Sequence, residues 1–429
     1  SLSISNSILT RVALNNLYHI KDRIYWIIIS VCTSSKRDQS RKQIFLFIFI
    51  FALIAQDSAG QDYTGFQIAG LPTASYKDGE GYSAGGNLFL FQYGDGHRLP
   101  YFWSFELGFK ISTEGMLSSD IFFDVPHILG HNSRFNLFIE YKRYLVDDYY
   151  GLGNAPDYNP DYIDPDKPGF RDKLFYSFKQ RWPNITISAQ FPTAIRNTRH
   201  LLSLSYSQRH IELYSKPNRL SADQPLGVQG GRTSALHYGL VYDSRDQEAV
   251  PRSGAWSEVL AMYAAPFLGS DYHYLRLTMT DRRYFSLHPR IVYAQRLILE
   301  PVFGDVPFYD MAMINGSFER HLGLGGDSSL RGVPRLLFVG QHKVLGNFEL
   351  RFETASMTIL KQDLTFFIHT FLDAGRVWLK DDPLVLDDIH SSYGAGLHVL
   401  WKKDLVGAID VGRSRYSDMA IYITFRNLF

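Results

Sequence analysis

The chain has one cysteine in 429 residues, Cys32, and it precedes the point at which processing is expected. Disulfide stapling and thiolate–metal chemistry are therefore excluded downstream. Net charge is nearly absent too, since 44 Lys and Arg against 43 Asp and Glu leave +1. No basic cluster with interleaved aromatics occurs, so a nucleic-acid partner is not expected. Beyond residue 60 no stretch approaches the ~18 consecutive apolar residues of a membrane helix. What the chain does carry is 15% aromatic residues, 34 glycines and many short apolar–polar alternations. That is the composition of an all-β chain with interfacial aromatics.

Residues 36–60 read as a secretory signal peptide. Lys36, Arg37, Arg41 and Lys42 form a positive flank, 44–55 is an apolar run, and Ser58-Ala59-Gly60 offers small residues for cleavage before Gln61. The run is too short to span a bilayer comfortably as an anchor helix. Residues 1–35, with a second apolar patch at 24–31, are set apart from the fold.

From 82–93 to 419–428 the sequence breaks into about sixteen alternating segments separated by turn chemistry. Among them are 173–182 and 185–192, with Trp182-Pro183-Asn184 read as the turn between. In 348–354, Phe348, Leu350 and Phe352 share one face, while Asn347, Glu349, Arg351 and Glu353 share the other. A soluble sandwich would bury the apolar face against a second sheet; a membrane barrel gives it to lipid and keeps the polar face in a wet lumen. An even strand number lets the two ends meet antiparallel, which removes sheet edges inside lipid. Short connections at 112–116, 182–184 and 286–289 fit periplasmic turns, and the long ones at 146–171, 215–232 and 305–342 fit the external side. The expected fold is an all-β, transmembrane antiparallel β-barrel over 81–429, with 61–80 as a short periplasmic lead-in.

The chemistry concentrates in the last long connection. Gly323-Leu-Gly-Gly-Asp-Ser-Ser-Leu-Arg-Gly-Val333 sets Arg331 and Gly332 among Gly325, Gly326, Leu330 and Val333. Downstream, Glu349 and Asp373 place carboxylates in the next two alternating strands. A guanidinium offers five donors in a planar fork and can hold two carboxylates at once. On spacing alone, a loop pinned inside the barrel and a set of separate lumen charges both remain open.

Other patterns carry less. Gly81-Tyr-Ser-Ala-Gly85 matches the serine-hydrolase nucleophile motif, but a strand rather than a helix follows it. The Gly323–Gly326 run lacks the Lys-Ser/Thr of a phosphate loop. The fourteen histidines show no ligand spacing, so no metal, no cofactor and no catalytic set is expected. The glycines at 81, 85 and 86 would soften the first barrel strand.

Leu330-Arg331-Gly332-Val333 resembles the loop signature of the outer membrane protein 85 (bacterial surface antigen) superfamily, which includes the barrels of Bam and Tam assembly machines and of two-partner secretion. In that family the loop between strands eleven and twelve folds into the lumen, and its arginine meets acidic residues on the following two strands. The resemblance thus implies Arg331 and Gly332 as a lumen loop anchor with Glu349 and Asp373. Position 333 is Val where an aromatic is usual. Tyr242-Asp243-Ser-Arg245-Asp246, followed by Pro251-Arg-Ser-Gly254, is similar to the family's periplasmic turn signature. Tyr422, Phe425 and Phe429, in an alternating end that stops on an aromatic, resemble the C-terminal assembly signal of bacterial outer-membrane barrels.

The resemblance implies an outer-membrane barrel in contact with lipid, with the assembly machinery through its C-terminal strand, and with client polypeptides or other outer-membrane complex subunits. It would assist insertion or translocation of polypeptides through a first-strand/last-strand seam. Family members carry periplasmic polypeptide-binding domains before the barrel, and 61–80 is too short to hold one. A structural or accessory role in a larger complex is the alternative, and a passive solute channel a more remote one.

Overall fold

The computed structural model describes residues 64–424 apart from 78–79, 97–99, 127, 129–132, 318–320, 360–361 and 402–404. The expected signal peptide, residues 1–35, and Phe425 and Phe429 of the expected C-terminal signal lie outside the described residues.

Among the described residues, sixteen long strands form one antiparallel succession. They are β1 (Gly65–Lys77), β2 (Gly81–Gly94), β3 (Trp103–Ser112), β4 (Leu117–Val125), β5 (Arg134–Asp148), β6 (Ser177–Pro192), β7 (Thr198–Glu212) and β8 (Gly231–Asp243). Then follow β9 (Gly254–Ala264), β10 (Tyr274–His288), β11 (Ile291–Glu300), β12 (His342–Ile359), β13 (Gln362–Trp378), β14 (His390–Trp401), β15 (Leu405–Ser414) and β16 (Ser417–Thr424). The short piece Val302–Gly304 prolongs β11 and pairs with β10.

Sixteen is the expected number, reached by a different route. Gly65–Lys77, expected as lead-in, is a full strand whose register with β2 runs from Phe66 opposite Gln92 to Lys77 opposite Gly81. Gly70 and Pro72 dilute its alternation. The expected turn at Trp182-Pro183-Asn184 is the interior of β6, where Pro183 stands opposite Tyr141 of β5. Toward β7 the pairing steps from Arg181–His210 to Asn184–Ser207, skipping Trp182 and Pro183. Proline has no N–H to give to a ladder, and the strand tolerates it by leaving one side unpaired there.

These two differences shift the parity of every connection between them. Residues 113–116 join β3 to β4, so this turn lies at the same end as the long loops 149–176 and 213–230 rather than opposite them. Arg143, near the loop end of β5, donates to the Gly115 carbonyl there at 2.9 Å. The glycines at 81, 85 and 86 belong to the second strand, not the first. At Gly85 a Cβ would stand 2.0 Å from the Phe109 carbonyl, so the glycine permits close approach of β3.

The faces are sorted opposite to those of a soluble protein. Leu204, Leu240, Val259, Leu299, Ile368 and Leu372 are exposed on the outside, whereas Arg276, Arg296, Lys343, Glu349 and Asp373 are buried inside. Such sorting is stable only where lipid meets the outer face. Over its described residues, the segment 305–341 occupies the interior. It contacts β5 through Arg335 and Asp147, β8 through Asp310 and Thr233, β10 through Arg276, and β15 through Ser414. One loop can touch strands so far apart in the succession only if the sheet curls around it as a barrel.

Candidate functional site

Arg331 sits at the tip of this interior loop with no solvent exposure. Its Nε and Nη2 donate to Oδ2 and Oδ1 of Asp373, both at 2.9 Å, the two-pronged geometry that a planar fork favours. Its Nη1 donates to Glu349 Oε1 at 2.7 Å and to Asp410 Oδ2 at 3.2 Å. The backbone N–H of Arg331 adds a bond to Asp373 at 3.1 Å, and the guanidinium lies 3.6 Å from the centre of the Phe371 ring. Burial alone would favour the neutral side chain, but the Asp373 and Glu349 carboxylates outweigh it and hold the guanidinium pKa above its ordinary value.

Lateral register explains why these groups meet. Asn347 faces Asp373 across β12 and β13, and Glu349 follows two residues later on the same face. Asn347 Nδ2 donates to Asp373 Oδ1 at 2.8 Å and to the Ser329 carbonyl at 2.6 Å. Arg296 of β11 donates to Asn347 Oδ1 at 2.8 Å and to the Ser328 carbonyl at 2.7 Å. The loop backbone is therefore held by side chains of three strands as well as by its own arginine.

The small residues of the loop have specific tasks. Ser329 Oγ donates to the Gly323 carbonyl at 2.6 Å and accepts from the Gly325 N–H at 2.9 Å, closing the turn in which Gly325 and Gly326 take positive φ. Gly332, at φ +97°, packs so tightly on β15 that a Cβ would stand 2.7 Å from the Arg413 nitrogen. Its N–H reaches Tyr422 Oη at 3.0 Å, and its carbonyl accepts from Ser414 at 2.5 Å. Leu330 and Val333 are buried in a cluster with Ile298, Leu324, Phe338, Leu345 and Val377. The aromatic beside Arg331 is Phe371 from the wall. Gly332→Ala is expected to cost about 1–3 kcal/mol through strain and displacement of the tip. Faster proteolytic cleavage within 323–333 and a lower urea midpoint would report it; an unchanged variant would show that the close approach is not needed.

A second anchor holds the start of the loop. Glu300, wholly buried, accepts from Arg276 at 2.5 Å, Lys343 at 3.0 Å, Thr278 at 2.8 Å and the Asn315 N–H at 2.8 Å. Arg276 also donates to the carbonyls of Met313 at 2.7 Å and Asp310 at 2.6 Å. Nearer the loop end, Arg335 pairs with Asp147 and, at 3.5 Å, with Asp148.

The turn 244–253 between β8 and β9 closes the other end of the barrel. Arg245 pairs with Asp243 at 2.9 Å and lies over the Trp256 ring. Asp246 accepts from the Arg252 N–H at 3.0 Å, and Gly254 takes φ +96°. Pro251 is buried beside Val250, which packs on Phe367 of β13 and Val406 of β15. Arg252 reaches Glu353 at 2.8 Å, and Glu248 meets Arg134 of β5 at 3.2 Å. This turn folds inward far enough to cross the interior.

Arg331, Gly332, Glu349 and Asp373 thus converge, with Tyr422 touching the same loop tip. The turn residues form a separate constellation at the opposite end. Sequence reasoning missed Asp410, Arg296, Phe371 and the Glu300 set as loop contacts. Alternation with Glu349 marks Asn347 as inward-facing, but nothing in linear spacing announces Asp410, which arrives from three strands further on.

Residues 103–403 match the Omp85 superfamily domain. The fold is similar to that of BamA from Haemophilus ducreyi lacking POTRA domains 1-3, with a TM-score of 0.50, 16% identity, and coverage of 85% of this chain and 70% of that one. It is also similar to CdiB from Escherichia coli, with a TM-score of 0.53, 12% identity, and coverage of 86% of this chain and 63% of that one. The chain therefore spans under two thirds of the CdiB chain, and at these identities the likeness concerns the fold. No curated protein matches the sequence.

Proposed function

The chain belongs to the Omp85 superfamily, and from that premise we propose that it works in the bacterial outer membrane, assisting insertion or translocation of polypeptides at the seam between β1 and β16. Export would remove the signal peptide at 36–60. The observation that carries this reading is the interior loop, tied by Arg331 to Glu349, Asp373 and Asp410. A lumen filled this way suits a scaffold that works through its wall better than an open pore.

Strand β1 suits a seam that opens. Gly70 contributes no side-chain packing and Pro72 cannot donate to a ladder, so its pairing is weakened at two positions. An unpaired edge can accept an incoming strand by β-augmentation, with backbone hydrogen bonds providing sequence-independent affinity. No covalent step is required. Clients and neighbouring complex subunits would meet the protein at this edge, and the assembly machinery would engage the C-terminal strand.

Cysteine pairs placed in β1 and β16 test the seam, because Cys32 lies far upstream of the barrel. Oxidised pairs are expected to abolish client insertion and release should follow addition of reductant. Full activity in the tethered state would instead identify an accessory subunit of a larger outer-membrane complex. Large, steady conductance of the wild-type protein in planar bilayers would identify a passive channel. Crosslinked affinity purification from native outer membrane would name the client.

A further inference from the structure

Two histidines and an aspartate meet in the barrel wall beside the Arg331 anchor. His369 of β13 stands opposite Gly396 of β14, and Gly396 stands opposite Asp410 of β15. His398 follows Gly396 by two residues and therefore shares its inward face. His369 has no solvent exposure, while His398 and Asp410 retain 3% and 7%.

Their close approach is possible because position 396 is glycine. A Cβ there would fall 2.2 Å from Asp410 Oδ1 and 2.5 Å from His369 Cε1. Over this glycine His369 Nε2 and His398 Nε2 lie 3.1 Å and 3.7 Å from Asp410 Oδ1. The three potential ligand atoms all lie within 4.8 Å of one another.

Hydrogen bonding accounts for this convergence only weakly. His369 and His398 both approach Asp410 Oδ1, but the 3.1 Å contact from His369 has the separation of an ion pair without the angle of a well-formed hydrogen bond, and His369 Nδ1 is buried without a partner. Buried polar atoms so poorly satisfied are costly, which makes three of them around one glycine informative.

We propose that His369, His398 and Asp410 form a divalent transition-metal site, with zinc as the best-suited ion. Two imidazoles and one carboxylate leave a fourth tetrahedral position open. Ligand bonds of ~2.0–2.1 Å in a tetrahedron place donor atoms roughly 3.3 Å apart, and the observed 3.1 and 3.7 Å bracket that value. Nitrogen donors favour zinc, copper or nickel over calcium and magnesium, which prefer all-oxygen shells. The other oxygen of Asp410 accepts from Arg331, so the ion would join β13, β14 and β15 directly to the interior loop.

The test uses tag-free, full-length protein in detergent micelles, stripped with chelator and titrated with ZnCl2 by calorimetry, and with CoCl2 by visible spectroscopy. One ion per chain, the intense visible bands of tetrahedral cobalt, and a zinc-dependent rise in the unfolding midpoint are expected. Stoichiometric binding should be lost in H369Q and in H398Q, and kept in H273Q, whose imidazole lies outside the cluster. Absence of saturable binding to the wild-type protein overturns the proposal without reference to any variant. So does binding that persists unchanged in H369Q and H398Q.

Discussion

Arg331→Ala is expected to lower the stability of the barrel with its docked loop by about 3–5 kcal/mol, the usual consequence of removing one partner from a buried charge network. The size follows from what remains. Asp373 would keep Asn347 at 2.8 Å, Glu349 would keep Arg351 at 2.7 Å, and Asp410 would keep only its histidine neighbours. Three carboxylates would then share the guanidinium of Arg351 and, less directly through Asn347, that of Arg296 in a water-poor interior. Arg331→Lys preserves the charge but not the two-pronged grip on Asp373, so an intermediate loss is expected. Urea unfolding in micelles gives the stability, hydrogen exchange over 323–333 gives the docking, and planar-bilayer conductance reports whether the lumen opens. Arg351→Ala is the comparison, because Glu349 would still hold Arg331. Equal effects of the two alanine substitutions would remove the special standing of Arg331.

Glu300→Ala is expected to have a comparable effect, about 3–5 kcal/mol, for the opposite electrostatic reason. It would leave Arg276 and Lys343, both wholly buried, without the carboxylate between them. The Asn315 N–H would lose its acceptor at the same time. Arg276 holds the Asp310 and Met313 carbonyls, so hydrogen exchange should rise first over 308–315 rather than over 323–333. Glu300→Gln, which keeps an acceptor, should fall between wild type and Glu300→Ala. Breaking the Arg232–Asp271 pair at the loop end of β8 is the contrast, since both side chains are substantially exposed and such pairs contribute ~0–1 kcal/mol. A Glu300→Ala variant no less stable than Arg232→Ala would show that the second anchor does not hold the loop.

The two anchors divide the loop into segments that can be loosened separately. Arg331 acts at the tip against β12, β13 and β15, while Glu300 acts where the loop leaves β11. Additive losses in the double variant would indicate independent docking of the two segments. A smaller combined loss would mean that the loop leaves the lumen as one unit.

Much of this arrangement is legible in the sequence because strand alternation is a local property. In β12 the order Asn347, Phe348, Glu349, Leu350, Arg351 states which side chains face inward, since successive residues point to opposite faces. With inward faces known, an arginine beside a glycine and two inward carboxylates leave a pinned loop and separate lumen charges both open, and it is the family resemblance that implies the anchor. The alternation from β2 to β16 likewise marks antiparallel strands with one apolar and one polar face.

Only the tertiary structure decides who stands beside whom across the sheet. Alternation carries no lateral register, so the sequence does not show His369, Gly396 and Asp410 in one row, or bring Asp410 to Arg331. Nor does it place the first strand, where Gly70 and Pro72 obscure the pattern and pairing with β2 supplies the missing order. Pro183 similarly reads as a turn until one side of β6 is seen to go unpaired there. Side-chain facing is determined within a few residues by covalent geometry, whereas neighbours across strands are determined by hydrogen-bond register summed around the barrel.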